Sequence, residues 1–147
     1  MTLFVDETEQ ALAQRLWTQA LAVQARAHAP YSRFHVGAAL VDDQGHTHSG
    51  CNVENAAYPE GVCAEAGAIS AMVAAGGRHI RGLLVVGTGH QWVTPCGGCR
   101  QKIREFAAPD TPVWVANADR IQARLTLEDL LPHSFGPDHL SPPKDPA

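Results

Sequence analysis

No apolar run in the chain approaches the ~18 residues of a membrane-spanning helix, so no membrane partner is expected. The N-terminal stretch Met1-Thr2-Leu3-Phe4-Val5, followed by acidic Asp6 and Glu7, lacks both the basic region and the long apolar core of an export signal. Cysteine is sparse: four residues are too few for a secreted disulfide scaffold of this length and suit a reducing compartment. Basic residues are outnumbered 11 to 15, for a net charge of -4, which argues against a nucleic acid polymer as partner. Added aromatic platforms for single strands are missing as well. Repeats, linkers and low-complexity blocks are absent before Ser141-Pro142-Pro143-Lys144-Asp145-Pro146-Ala147. These absences predict a cytoplasmic protein with one domain over residues 1–140, a loose tail over 141–147, and a small, weakly charged substrate. With 147 residues, 45% of them hydrophobic, the chain can bury a single core.

The order of elements predicts an α/β fold. Ala11, Leu12, Leu16, Ala20, Leu21 and Val23 recur at three- and four-residue steps, so a helix is expected from Glu7 to about Ala27, capped by Asp6 or Thr8. Pro30 disfavours its continuation. Strands are expected at His35–Val41 and His46–Asn52, joined by the turn Asp42-Asp43-Gln44-Gly45. A polar loop then leads to an alanine-rich helix over Cys63–Ala75, stopped by Gly76-Gly77. Next come a buried strand at Leu83–Val86, a helix at Cys96–Phe106, strands at Pro112–Ala116 and Ile121–Leu127, and a short helix over Leu127–Leu131. The expectation is three layers, α/β/α, around a mixed sheet of about five strands.

The chemistry lies at two helix starts. Cys96 and Cys99 in Pro95-Cys96-Gly97-Gly98-Cys99 bring two sulfurs to one end of a helix, and Cys63 can add a third from the start of another. A helix N-terminus favours a thiolate there. Three protein ligands leave a tetrahedral zinc with an open position, as in catalytic rather than structural sites. Glu65, two residues after a ligand, is placed to move protons at a metal-activated water. This arrangement resembles that of the zinc nucleobase deaminases, where a glutamate that is not a ligand serves as acid and base. Other readings stay open at this point. The thiols can form a structural site with Cys51 as a fourth ligand, Glu65 can be an ordinary first-turn residue, and Asn52 with Glu54 can be a loop-capping pair. Phe34 and Tyr58 can be core or interface aromatics, and Arg100, Lys102 and Arg104 a solvated helix face.

Further segments share one family resemblance. Ala29-Pro30-Tyr31-Ser32-Arg33-Phe34-His35-Val36-Gly37-Ala38-Ala39-Leu40, Gly50-Cys51-Asn52-Val53-Glu54-Asn55-Ala56-Ala57-Tyr58-Pro59, Cys63-Ala64-Glu65, Pro95-Cys96-Gly97-Gly98-Cys99-Arg100-Gln101 and Leu130-Leu131-Pro132-His133-Ser134-Phe135-Gly136-Pro137 resemble the small homotetrameric cytidine deaminases. The resemblance implies a cytidine deaminase-like fold and one Zn2+ per subunit on Cys63, Cys96 and Cys99. It implies Glu65 as the catalytic acid and base, and Asn52 and Glu54 as ribose contacts. Phe34 would line the pyrimidine pocket, and the backbone of Ala64 would meet the base. Tyr58 and Phe135 would work at subunit contacts, with Phe135 reaching a neighbour's site. One position departs: Ala66 stands where the family often has an arginine that offsets ligand charge. Helix N-termini behind Cys63 and Cys96, or Arg100, are expected to compensate.

The expected reaction is hydrolytic deamination of cytidine and 2′-deoxycytidine to the uridine nucleoside and ammonia, in pyrimidine salvage. The alternatives are a deaminase of another amino-substituted base, such as blasticidin S, and a non-catalytic zinc-binding module.

Overall fold

The computed structural model describes residues 2–141. Helix α1 (Glu7–Gln24) begins where Asp6 Oδ1 accepts from the Glu9 N–H at 2.8 Å. It ends earlier than expected, because the bonds from Arg26 N–H to Val23 C=O and from Ala27 N–H to Gln24 C=O tighten the last turn. Strands β1 (Gly37–Asp42) and β2 (Thr47–Cys51) form the expected hairpin. Asp42 closes it: Oδ1 accepts from the N–H groups of Gln44 and His46, both at 2.9 Å, while Oδ2 pairs with His48 Nε2 at 2.9 Å. The His48 contact, followed by the backbone donors, holds the Asp42 carboxyl below its ordinary pKa despite burial.

The remaining elements are α2 (Ala64–Ala74), β3 (Ile80–Val86), α3 (Gly97–Arg104), β4 (Pro112–Ala116), β5 (Ile121–Thr126) and α4 (Leu127–Leu130). Single 3-10 turns occupy Tyr58–Glu60 and Pro137–His139. Strand β3 starts at Ile80 rather than Leu83, since the Ile80 N–H donates to Phe106 C=O at 2.8 Å and recruits the polar start of the strand. Of the tail expected to be loose, residues 142–147 lie outside the described residues.

The sheet runs β2-β1-β3-β4-β5, with β3 and β4 parallel and the other neighbours antiparallel. Alternation along the strands sorts side chains to two faces. Ala39 and Val41 of β1, Leu84 and Val86 of β3, and Trp114 of β4 pack on Ala13, Leu16 and Ala20 of α1. Ala38, Leu40, Leu83, Val85 and Val113 face the other way, onto Ala64, Ala68 and Met72 of α2 and Ile103 of α3. Helices therefore cover both faces, as the element order predicts. Each large aliphatic side chain buried in these clusters contributes roughly 1.5–3 kcal/mol. Ala13 is buried and Ala11 exposed, so the face of α1 is rotated slightly from the apolar pattern.

The position of α2 depends on Gly50. A Cβ there would lie 2.5 Å from both Ala64 C=O and Ala68 N, so β2 and the start of α2 touch backbone to backbone. Gly50→Ala should cost about 1–3 kcal/mol of overpacking, read as a lower urea midpoint. Gly67→Ala, on the helix side of the same contact, meets nothing closer than 3.5 Å. It should leave stability unchanged or raise it by up to about 1 kcal/mol through helix propensity, read as an equal or higher urea midpoint.

Candidate metal centre and substrate cleft

Cys63 and Cys96 are the N-cap residues of α2 and α3, both in extended conformation, and Cys99 lies in the first turn of α3. Because both helices stand on one face of the sheet, their starts converge. The three sulfurs lie within 4.8 Å of one another, with Cys63 and Cys96 at 3.8 Å. Sulfurs about 2.3 Å from a tetrahedral zinc stand about 3.8 Å apart, so both the spacing and the donor chemistry fit that ion. Cys51 is half-buried at the end of β2 and does not join the group.

Crowding of the sulfurs with one another and with Glu65 opposes ionisation of the trio. Desolvation, then the Cys96 sulfur, push the Cys63 thiol above its ordinary pKa, with Glu65 adding to the shift. Cys99 is buried and pushed far up, first by desolvation and then by the Glu65 charge. At Cys96 desolvation is the largest effect and also raises the pKa, but the Cys99 backbone N–H and thiol outweigh it and lower the net value. A helix start alone therefore does not make Cys63 a thiolate: crowding with other acids opposes ionisation, and a cation among the sulfurs reverses the sign. Glu65 is only 4% exposed, and its charge is one of the causes that raise the Cys99 thiol. Its place in the first turn of α2 suits a carboxylate.

A cleft of about 560 Å³ leads to Cys63 and is lined by Tyr31, Ser32, Asn52 to Asn55, Tyr58, Gly61 and Val62. Asn52 and Glu54 both border it, and each also braces the 31–36 loop. Asn52 Nδ2 donates to Phe34 C=O at 2.8 Å, and Oδ1 accepts from Val36 N–H at 2.8 Å. Glu54 Oε1 accepts from the N–H groups of Tyr31 at 2.9 Å and Ser32 at 3.2 Å. The Ser32 hydroxyl, followed by these backbone donors, holds the Glu54 carboxyl below its ordinary pKa. The loop-bracing alternative is thus real for both residues. Tyr58 stands at the rim, edge-on to Tyr31 with ring centroids 5.8 Å apart. Ala64 is fully buried beneath. Phe34 is exposed and outside the cleft lining, and Phe135 sits apart, stacked on His139.

Sequence reasoning overlooked Tyr31 and Ser32, although both stand in a quoted motif, and it misread α3. Arg100 is half-buried: Nε donates to Pro95 C=O at 2.8 Å, Nη1 to Leu130 C=O at 2.8 Å and Nη2 to Thr94 Oγ1 at 3.0 Å. Arg100 thus pins the loop entering Cys96 and is committed to oxygens, not to the sulfurs it was expected to neutralise. Arg104 is likewise tied to Ser134 and Asp138. The available signal was spacing: Arg100 and Arg104 are four apart and share a helix face, whereas Lys102 does not.

Residues 10–115 match the family model described as the cytidine and deoxycytidylate deaminase zinc-binding region. The chain is 38% identical over 128 residues to a cytidine deaminase of Sporosarcina psychrophila, covering 87% of this chain and 94% of that protein. It is 40% identical over 116 residues to a cytidine deaminase of Halalkalibacterium halodurans, covering 78% and 88%. Among solved structures, the cytidine deaminase of Burkholderia pseudomallei superposes with a TM-score of 0.79 at 41% identity, covering 83% of this chain and 98% of that one.

The geometry makes the thiols a reporter of metal. In zinc-loaded protein, exposed Cys63 and Cys96 should resist a thiol reagent; after chelation both should react quickly, with buried Cys99 slower, and added zinc should restore protection. Equal thiol reactivity in loaded and stripped protein would rule out the trio as the binding group.

Proposed function

This chain belongs to the cytidine and deoxycytidylate deaminase family, and from that premise we propose that it is a zinc-dependent enzyme that hydrolyses cytidine, and 2′-deoxycytidine as well, to the uridine nucleoside and ammonia. The observation that carries this reading is the meeting of three sulfurs with a buried carboxylate at the end of a nucleoside-sized cleft. Cys63, Cys96 and Cys99 hold the ion. Bound there, zinc supplies a Lewis acid that lowers the pKa of water from about 15.7 toward roughly 7.

Glu65 takes a proton from the attacking water and delivers it to ring N3, which makes C4 electrophilic. The water oxygen adds to C4. Glu65 then takes the remaining hydroxyl proton from the tetrahedral carbon and passes it to the amine, so that C4=O forms as the C4–N bond breaks and ammonia leaves. Burial of Glu65 limits proton exchange with bulk water during these transfers.

In the cleft, Asn52 and Glu54 contact the ribose; outside its lining, the backbone of Ala64 meets the base, and Phe34, whose carbonyl Asn52 Nδ2 holds, is brought to the pyrimidine by the 31–36 loop. No lysine or arginine lines the cleft among the described residues, and the ionisable groups there include Glu54 and Cys63. A nucleoside therefore suits it better than a phosphorylated nucleotide, whose charge would meet a carboxylate and no cation. The assembly is a homotetramer in which Tyr58 and Phe135 serve at subunit contacts, and one domain spans residues 1–140. Its setting is pyrimidine salvage in the cytoplasm, consistent with the reduced thiols the site needs.

Glu65→Ala should keep one zinc per chain yet lose kcat by about 10²–10⁴, measured by ultraviolet loss of cytidine alongside metal content. Near-normal turnover in that variant would remove Glu65 from the chemistry. In a substrate panel, cytidine and 2′-deoxycytidine should be consumed and chelation should abolish both reactions, while cytidine monophosphate and blasticidin S persist. Preferential loss of either of those last two would overturn the nucleoside reading.

A further inference from the structure

After α4 the chain has little regular structure, yet it is tied to α3 at several points. Arg104 Nε donates to Ser134 Oγ at 2.8 Å, and Nη2 donates to Asp138 Oδ1 at 2.6 Å. Gln101 Nε2, on the same helix, donates to the Phe135 carbonyl at 2.9 Å. Inside the segment the Gly136 N–H donates to His139 Nδ1 at 3.0 Å, and the Phe135 ring stacks on the His139 imidazole with centroids 5.0 Å apart. His133 enters the segment in the left-handed region, at φ 52, a conformation that needs support from its surroundings.

The Arg104 guanidinium packs directly on Gly136. A Cβ at that glycine would come within 2.3 Å of Arg104 Cζ. These contacts hold an aromatic side chain in one pose while leaving it 56% exposed. Burial does not explain such an arrangement, because the ring gains little from its own chain; advance ordering lowers the entropy cost of a later contact.

We infer that Arg104 is a positioning residue, whose grip on Ser134, Gly136 and Asp138 presents Phe135 to the substrate cleft of a second copy of this chain. The inference rests on the proposed reading of Phe135 as a residue that works at a neighbour's site, and adds the device that aims it. A second copy is the matching occupant because Phe135 does not line its own cleft, whose rim exposes Tyr31 and Tyr58 as aromatic partners.

Gly136→Ala gives a handle that leaves Arg104 in the sequence. Gly136 has φ -153, extended backbone open to any residue, so the added methyl acts only by pushing the flexible guanidinium aside. Steady-state kinetics on cytidine, with zinc content and melting temperature as controls, test the inference in the full chain. Arg104→Ala and Gly136→Ala should each raise KM roughly three- to tenfold, with kcat held within about twofold. Phe135→Ala should do at least as much. Both substitutions should stop mattering once Phe135 is alanine, and Gly136→Ala should add nothing to Arg104→Ala.

If Phe135→Ala raises KM while Arg104→Ala and Gly136→Ala behave like the unaltered protein, Arg104 does not aim the ring and the inference fails. If Phe135→Ala itself leaves KM unchanged, the reading of Phe135 fails first and takes the inference with it. Additive effects in the double variants would reduce Arg104 to a general stabiliser of the segment. Should Arg104→Ala not fold, Gly136→Ala and Arg104→Lys decide by the same criteria, since lysine keeps the charge without the two-pronged fork.

Discussion

Three sulfurs and a carboxylate crowd one corner of this fold, and they can ionise together only when a cation sits among them. Burial of Cys99 and the neighbouring Glu65 charge drive that thiol toward its protonated form; a zinc ion among the sulfurs turns the same crowding into binding. Folding and metal affinity are coupled through this corner: the architecture brings the donors together at a cost, and the ion repays it. Protons released from the thiols accompany binding, so affinity weakens as pH falls.

The architecture makes the convergence possible by placing α2 and α3 side by side on one face of the sheet. Strands β1 and β3 carry small and branched residues alternately to each side, so α1 can cover one face without competing for the other. Backbone contact at Gly50 lowers the start of α2 onto β2, and Arg100 fixes the loop that enters α3. Those two contacts bring Cys63 and Cys96 to the spacing of neighbouring ligands on a tetrahedral ion. The cleft then follows from β2, because the chain leaving that strand carries Asn52 and Glu54 along its wall and Cys63 at its end.

Much of this was legible in the sequence because short-range rules govern it. Asp6 before a periodic apolar run, the hairpin turn at Asp42 to Gly45 and the β-branched run at Pro112 to Ala116 each lie within a few residues of the structure they specify. The cysteine trio was legible for another reason: few structures need sulfurs at those spacings next to a glutamate. What stayed hidden was long-range. The hydrogen bonds of Arg100 to Leu130 and of Arg104 to Ser134 and Asp138 join residues some thirty positions apart, so of the three charges read as a solvated face only Lys102 is exposed. The rotated burial on α1, with Ala13 inside and Ala11 outside, is a packing outcome that alanine content cannot foretell.

Ala66 gains its meaning from these commitments. It occupies the position where the family resemblance leads one to expect a guanidinium beside the ligand sulfurs, and Arg100 cannot replace that group because its nitrogens are bonded to Pro95, Leu130 and Thr94. Three thiolates on a divalent ion would carry a net charge of about -1; at the start of α3 the Cys99 N–H is placed to offset part of it, whereas Cys63 at the start of α2 is pushed up. Burial raises the Cys96 pKa, and the Cys99 N–H and thiol bring it below its ordinary value. Backbone dipoles are fixed by the helices themselves, so the donors near the sulfurs keep their places only as far as the two helix starts are held. Gly50, against the Ala64 and Ala68 backbone, and Arg100, bonded to Pro95 and Leu130, hold those starts and thereby position the sulfurs.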